Sequence, residues 1–284
     1  MKFVKIFLIV VLTIGLVLLL DIVRPAEWSE PVQITQGIDV FSVQFTSDGT
    51  LLFTANNSVF LADADGSNQR VIFTGSDLKR ATMSPDGKRL VFDNDFDIFM
   101  VNADGTEPIA NDPEVFEFGS SFSSDGKELT FVTIDDVNQE YGIWVMDLGD
   151  GSKKNVLASD NIILRHARWS PDRTKLSYFW IAKNGTSIIS VLEGGDRQDL
   201  TSPDVYSRQA SWRPDGKQLA YSAMREGEDF DLWIMEADGS NKRQITSLVG
   251  DETKASWSPD GRKIAFVCSD CQNSEGSDIY MVTR

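Results

Sequence analysis

The chain carries a single histidine, His166, and it stands directly beside Arg165. Three further dipeptides, Lys79-Arg80, Arg208-Gln209 and Thr253-Lys254, occur in comparable settings, each just ahead of a short apolar run. Cations and amides of this kind hold carboxylates, anionic sugars or acidic peptide ends. One imidazole is too few for any site that needs two or more histidine ligands. No Gly-x-Ser-x-Gly elbow is present, so a hydrolase serine is not marked. A carboxylate pair could do acid–base work, but among 43 Asp and Glu no pair is singled out by its spacing. No catalytic set, metal or cofactor is therefore expected. Asp63, Asp65 and Asn68 have the spacing that opens a calcium loop. The later Glu ligand is missing, and the same string returns as Glu236, Asp238 and Asn241, which reads as a repeated turn. Cys268-Ser-Asp-Cys271 is the only cysteine pair. Two cysteines cannot complete a tetrahedral zinc site, and outside a membrane a disulfide pinning its loop is expected, with free thiols or a redox pair as alternatives.

These residues need elements to position them, and the elements repeat. One block recurs as Phe45-Thr-Ser-Asp-Gly49, Met83-Ser-Pro-Asp-Gly87, Phe122-Ser-Ser-Asp-Gly126, Trp169-Ser-Pro-Asp-Arg173, Trp212-Arg-Pro-Asp-Gly216 and Trp257-Ser-Pro-Asp-Gly261. The aspartates stand at 48, 86, 125, 172, 215 and 260, so the steps are 38, 39, 47, 43 and 45. That period belongs to a propeller blade. Each block has a short strand, a tight turn, an alternating strand such as Gln218-Leu-Ala-Tyr221, and a third strand such as Leu232-Trp-Ile-Met235. A hairpin turn such as Ala237-Asp-Gly239 then leads to a short fourth strand. The turn chemistry is consistent with this, since Pro presets φ, Asp bonds nearby backbone and Gly takes positive φ. Arg173 replaces that glycine in the fourth block and is expected to cost on the order of 1 kcal/mol if φ is positive there. The sixth block stops at Arg284 after its third strand, and Pro31-Val-Gln-Ile-Thr35 matches Lys242-Arg-Gln-Ile-Thr246. Residues 32–35 are thus expected to pair with residues 279–282 and close a ring of six. The fold class is all-β: a six-bladed β-propeller of four-stranded blades.

The Ser-Pro-Asp-Gly-Lys and Ala-Asp-Gly-Ser-Asn signatures resemble the WD40-like repeats of TolB-type propellers. The resemblance covers about residues 31–284. It implies the fold, and it is shared by envelope proteins and by the propeller domains of peptidases, so it does not imply one activity.

Phe3 to Leu20 is almost wholly apolar, with Lys2 and Lys5 at its start and Asp21 after it. Eighteen helical residues span roughly 27 Å, near the hydrocarbon thickness. The expected organisation is a membrane anchor over 1–21, a linker over 22–30 and the propeller over 31–284, with the propeller outside the membrane. A cleaved signal peptide is the alternative. Cleavage after Ala26 would put Arg24 at the minus-three position, which suits a signal peptidase badly. Both readings export the propeller. The net charge of −16 excludes nucleic acid as the main partner.

Strand direction separates two faces. The Ser-Pro-Asp-Gly and Ala-Asp-Gly turns lie on face one, where the linker joins. The variable loops lie on face two, together with the starts of the channel-lining first strands. Lys79, Arg80, Arg165, His166, Arg208, Gln209 and Lys254 are therefore expected at one channel mouth, within an acidic rim of Asp135, Asp136, Glu140, Glu226, Glu228, Asp229 and Glu275. The expected function is a membrane-tethered recognition module for a protein or anionic ligand. The alternative is a hydrolase or lyase acting on polysaccharide or peptide through face-two carboxylates.

Overall fold

The computed structural model describes residues 27–94, 97–102, 109–110, 116–135, 140–159, 162–225, 227–271 and 276–284. The expected anchor over 3–20 lies outside them. Among the described residues no helix is long and apolar enough to cross a membrane.

The described strands form six four-stranded antiparallel sheets. Blade one holds β2 (Val40–Phe45), β3 (Leu51–Ala55), β4 (Ser58–Ala62) and β5 (Arg70–Thr74). Blade two holds β6 (Leu78–Met83), β7 (Arg89–Asn94), β8 (Asp97–Asn102) and β9 (Ile109–Ala110). Blade three holds β10 (Phe116–Phe122), β11 (Glu128–Asp135), β12 (Glu140–Asp147) and β13 (Lys153–Ser159). Blade four holds β14 (Ile163–Trp169), β15 (Lys175–Ile181), β16 (Ser187–Glu193) and β17 (Asp196–Asp199). Blade five holds β18 (Tyr206–Trp212), β19 (Gln218–Met224), β20 (Asp231–Glu236) and β21 (Arg243–Gln244). Blade six holds β22 (Asp251–Trp257), β23 (Lys263–Ser269), β24 (Ser277–Thr283) and, from the other end of the chain, β1 (Val32–Gln33). The first strands of successive blades touch, and β22 touches β2, which completes the ring.

The second strands are buried along both faces, as in β23, because each blade packs between two neighbours. Trp212 Nε1 donates to Arg168 O and Trp257 Nε1 to Ser211 O, both at 3.2 Å, so each indole fixes the spacing to the blade before it. The repeated turns are built alike. Ser84 Oγ donates to Asp86 Oδ1 at 2.6 Å, which in turn accepts from Lys88 N at 3.1 Å. Asp125, Asp172 and Asp260 do the same with Ser123, Ser170 and Ser258. Arg173 has φ 60°, the left-handed region its glycine counterparts occupy. Its guanidinium reaches Asp125 of blade three at 2.6 Å and Glu128 at 2.5 Å.

Closure follows the expected register, Val32 opposite Met281 and Gln33 opposite Tyr280. It starts earlier than expected, because Ser29 N already donates to Thr283 O at 2.7 Å and Trp28 packs edge-on against Trp257. Asp278, 1% exposed, holds the closing segment by accepting from Thr35 Oγ1, Gln33 Nε2 and Gly37 N at 3.0, 3.2 and 3.1 Å. The same device joins blades five and six. Buried Glu252 accepts from Thr246 Oγ1, from Leu248 N at 2.7 Å and from Leu232 N at 3.1 Å. Burial pushes the Glu252 carboxyl up to about 7.

Candidate ligand-binding site at the channel mouth

The site is a set of equivalent positions. The residue six places before each turn aspartate is Ser42, Arg80, Gly119, His166, Gln209 or Lys254, in blade order. All six line one cavity of about 310 Å³ at the mouth of the channel. Five of them sit at an interruption in the pairing of the first strand with the second, between Leu78 and Ala81 in blade two or Thr253 and Ser256 in blade six, for example, whereas in blade one the interruption falls on Phe41 and Ser42 pairs with Thr54. Such a bulge re-aims a side chain out of the ladder, here into the channel. In blades three to six the bulge residue is left-handed, with φ 69° at Gly119, 50° at His166, 59° at Gln209 and 59° at Lys254. Glycine takes this conformation freely; His, Gln and Lys do so at a cost on the order of 1 kcal/mol each. Blade three, with Gly119, shows that the fold itself asks only for glycine.

The preceding position supplies Phe41, Lys79, Phe118 and Arg165 to the same cavity. Arg208 departs from the expectation. It does not line the cavity, because its guanidinium lies over the Phe230 ring, 4.0 Å from the centroid. The other six expected residues do line it.

Arg80 of blade two donates from Nη1 to His166 Nδ1 of blade four. A Cβ on Gly119 would come within 3.4 Å of His166 N, so the missing side chain leaves room for this contact. An arginine can only donate, so the His166 proton is assigned to Nε2. Burial, then the charges of Arg80, Arg165 and Lys254, hold the His166 pKa well below its ordinary value, and the ring is neutral at pH 7. It stacks on Phe179 with centroids 5.5 Å apart. Buried Asp93 stands opposite Arg80 and is fixed by Gly119 N at 2.8 Å and Ser120 Oγ at 2.9 Å. Burial pushes the Asp93 carboxyl up while Arg80 opposes that rise. Desolvation, then Arg80, pulls the Lys254 ammonium down to about 8.

Three further cations rest on aromatic rings, and Arg168 also lines the cavity. Lys254 Nζ is 4.0 Å and Lys79 Nζ 5.9 Å from the centroid of Phe41, and Arg165 is 4.4 Å from that of Phe118. A ring eases the desolvation of a cation without neutralising it. On face one the same chain pairs Arg173 and Arg213 with carboxylates instead. Among the described residues no carboxylate lies within ion-pair distance of Lys79, Arg165 or Lys254.

Of the expected acidic rim, Glu140, Glu228 and Asp229 lie among the described residues. Asp229 accepts from Gly250 N at 2.9 Å and Asp231 from Gln244 Nε2 at 2.8 Å, so these carboxylates hold loop backbone and a strand side chain. Asp136, Glu226 and Glu275 lie outside the described residues, as does the side chain of Asp135. Asn68 Nδ2 donates to Asp63 Oδ2 at 2.7 Å, which makes the calcium-like string a self-bonded turn. Cys268 and Cys271 are bonded to each other and buried, with Cα atoms 5.7 Å apart. The sequence reading missed Ser42, Phe41, Phe118, Gly119 and Asp93. Counting six and seven residues back from every turn aspartate would have found the first four. Asp93, on a second strand, had no such signal.

A family model described as the TolB beta propeller domain matches residues 128–283. No curated protein sequence matches the chain. Among solved structures, TolB from Acinetobacter baumannii is 20% identical with a TM-score of 0.67, over 78% of this chain and 57% of that one. This chain thus spans little more than half the length of that relative. A putative TolB from Agrobacterium tumefaciens is 17% identical with a TM-score of 0.69, over 92% and 99% of the two chains. An oligogalacturonate lyase from Vibrio parahaemolyticus is 12% identical with a TM-score of 0.63, over 89% and 93%. These structures share the fold. With more than half of its length matched, from blade three through blade six, the chain belongs to the TolB β-propeller domain family.

Proposed function

We propose that this protein is a recognition propeller whose channel mouth captures an anionic group of a protein or small molecule. The observation that carries this reading is the pair of desolvated cations, Arg165 and Lys254, held on aromatic rings with exposed Lys79 beside them, and no carboxylate within ion-pair distance of the three among the described residues. A chain with an excess of 16 negative charges has carboxylates to spare, yet among the described residues none forms an ion pair with these three cations. We further propose that residues 3–20 tether the propeller to a membrane, with the propeller on the extracytoplasmic side. The tether joins at Trp28 and Ser29 on face one, so the mouth on face two points away from the bilayer.

The experiment is binding of anionic probes to the full chain and to an Arg165→Glu, Lys254→Glu double variant. Uronate oligomers, acidic peptides and small carboxylates are compared by thermal shift. Stabilisation of the wild type and none of the variant is expected; equal behaviour of the two contradicts the proposal.

A second reading has its own support, because fold neighbours include an oligogalacturonate lyase and a gluconolactonase. Turnover of an oligouronate or a lactone, lost on changing Glu228 or Asp229, would favour an enzyme over a binding module.

A further inference from the structure

Three cations of the mouth rest on rings and fall into two poles, with Arg168 also in the cavity lining. Lys79 of blade two and Lys254 of blade six converge on Phe41 of blade one. Arg165 of blade four lies on Phe118 of blade three. In a ring of six, blade one stands opposite blade four, so the poles face one another across the channel. Arg80 lines the same cavity, engaged with His166 and offset by Asp93. Apolar Val43, Ala255 and Ile134 line the same cavity, beside polar Ser42 and Gln209. A single anion would satisfy one pole and leave the other desolvated and unpaired, at the cost a buried charge carries. Resting on the reading of the mouth as an anion site, we propose that its ligand carries two anionic groups joined by a short apolar spacer, the chemistry of an α,ω-dicarboxylate.

The test is calorimetric titration of the full chain, kept soluble in detergent, at fixed ionic strength. The probes are α,ω-dicarboxylates from succinate to azelate and monocarboxylates of equal carbon number. The dicarboxylates are expected to bind at least tenfold tighter, with one optimal length. Lys79→Gln and Arg165→Gln should each remove that advantage, whereas Lys217→Gln on face one should keep it; melting curves check that each variant is folded. Monocarboxylates binding as tightly as dicarboxylates overturn the two-pole inference and leave the anion site standing. So does an advantage that survives both substitutions. Failure of every carboxylate together with every acidic peptide and uronate overturns both.

Discussion

Lys254 is a charged side chain in a conformation that favours glycine, desolvated, and set on a phenylalanine face. Each property costs stability, and none is needed by the blade, since Gly119 fills the equivalent place in blade three without them. Stability given up at a site is the usual mark of function. Lys254→Gly is therefore expected to leave the protein as stable or up to about 1 kcal/mol more stable, by denaturant unfolding. The same change should weaken capture of an anion at least tenfold. The lowered pKa adds a pH dependence. Lys254 is charged below about 8 and neutral above it, so anion affinity should hold from pH 6 to 7.5 and fall between 8 and 9. Lys254→Arg should flatten that fall. The basic dipeptides were legible in the sequence because their types repeat at one offset from the turn aspartate. The turning away of Arg208 was not, since it depends on Phe230 standing within reach on another strand.

At the scale of the element, the closing and bridging strands are held by buried carboxylates, which periodicity does not reveal. Asp278 and Glu252 sit near the starts of β24 and β22, and only the fold brings Thr35 and Thr246 onto them. Glu252 has a folded pKa near 7, above the ordinary 4.5. A raised pKa means that its contribution is complete below 4.5 and is lost as pH rises through 7. The loss is on the order of 3 kcal/mol. The melting temperature should therefore decline from pH 5 to 8, and Glu252→Gln should make that decline shallower. Asp278 takes three hydrogen bonds from the closing segment. Asp278→Ala should cost about 2–4 kcal/mol, read by urea unfolding, because it leaves buried donors unpaired. The strands, turns and blade count were legible because an aspartate-centred turn recurs in every block and the apolar alternation fixes each face.

For the whole molecule, one segment both closes the ring and receives the tether. Ser29 pairs with Thr283, so the free linker ends by residue 27, shorter than the sequence alone indicates. Deleting residues 28–35 should abolish cooperative unfolding rather than trim a terminus. The proposed orientation puts Glu228 on the outer face. A cysteine introduced by Glu228→Cys should react with a membrane-impermeant maleimide on intact cells, and protection there would contradict the orientation. The direction of the ring was legible from strand order. The mouth's two-pole character was not, because it depends on which ring each cation covers. The central claim is that the mouth keeps a desolvated cation free for an anion. The most direct measurement is an NMR titration of the Lys254 ammonium in the full chain, alone and with a dicarboxylate. The account predicts a midpoint near 8 that moves upward when the anion binds; an ordinary midpoint near 10.5, unmoved by the anion, would contradict it.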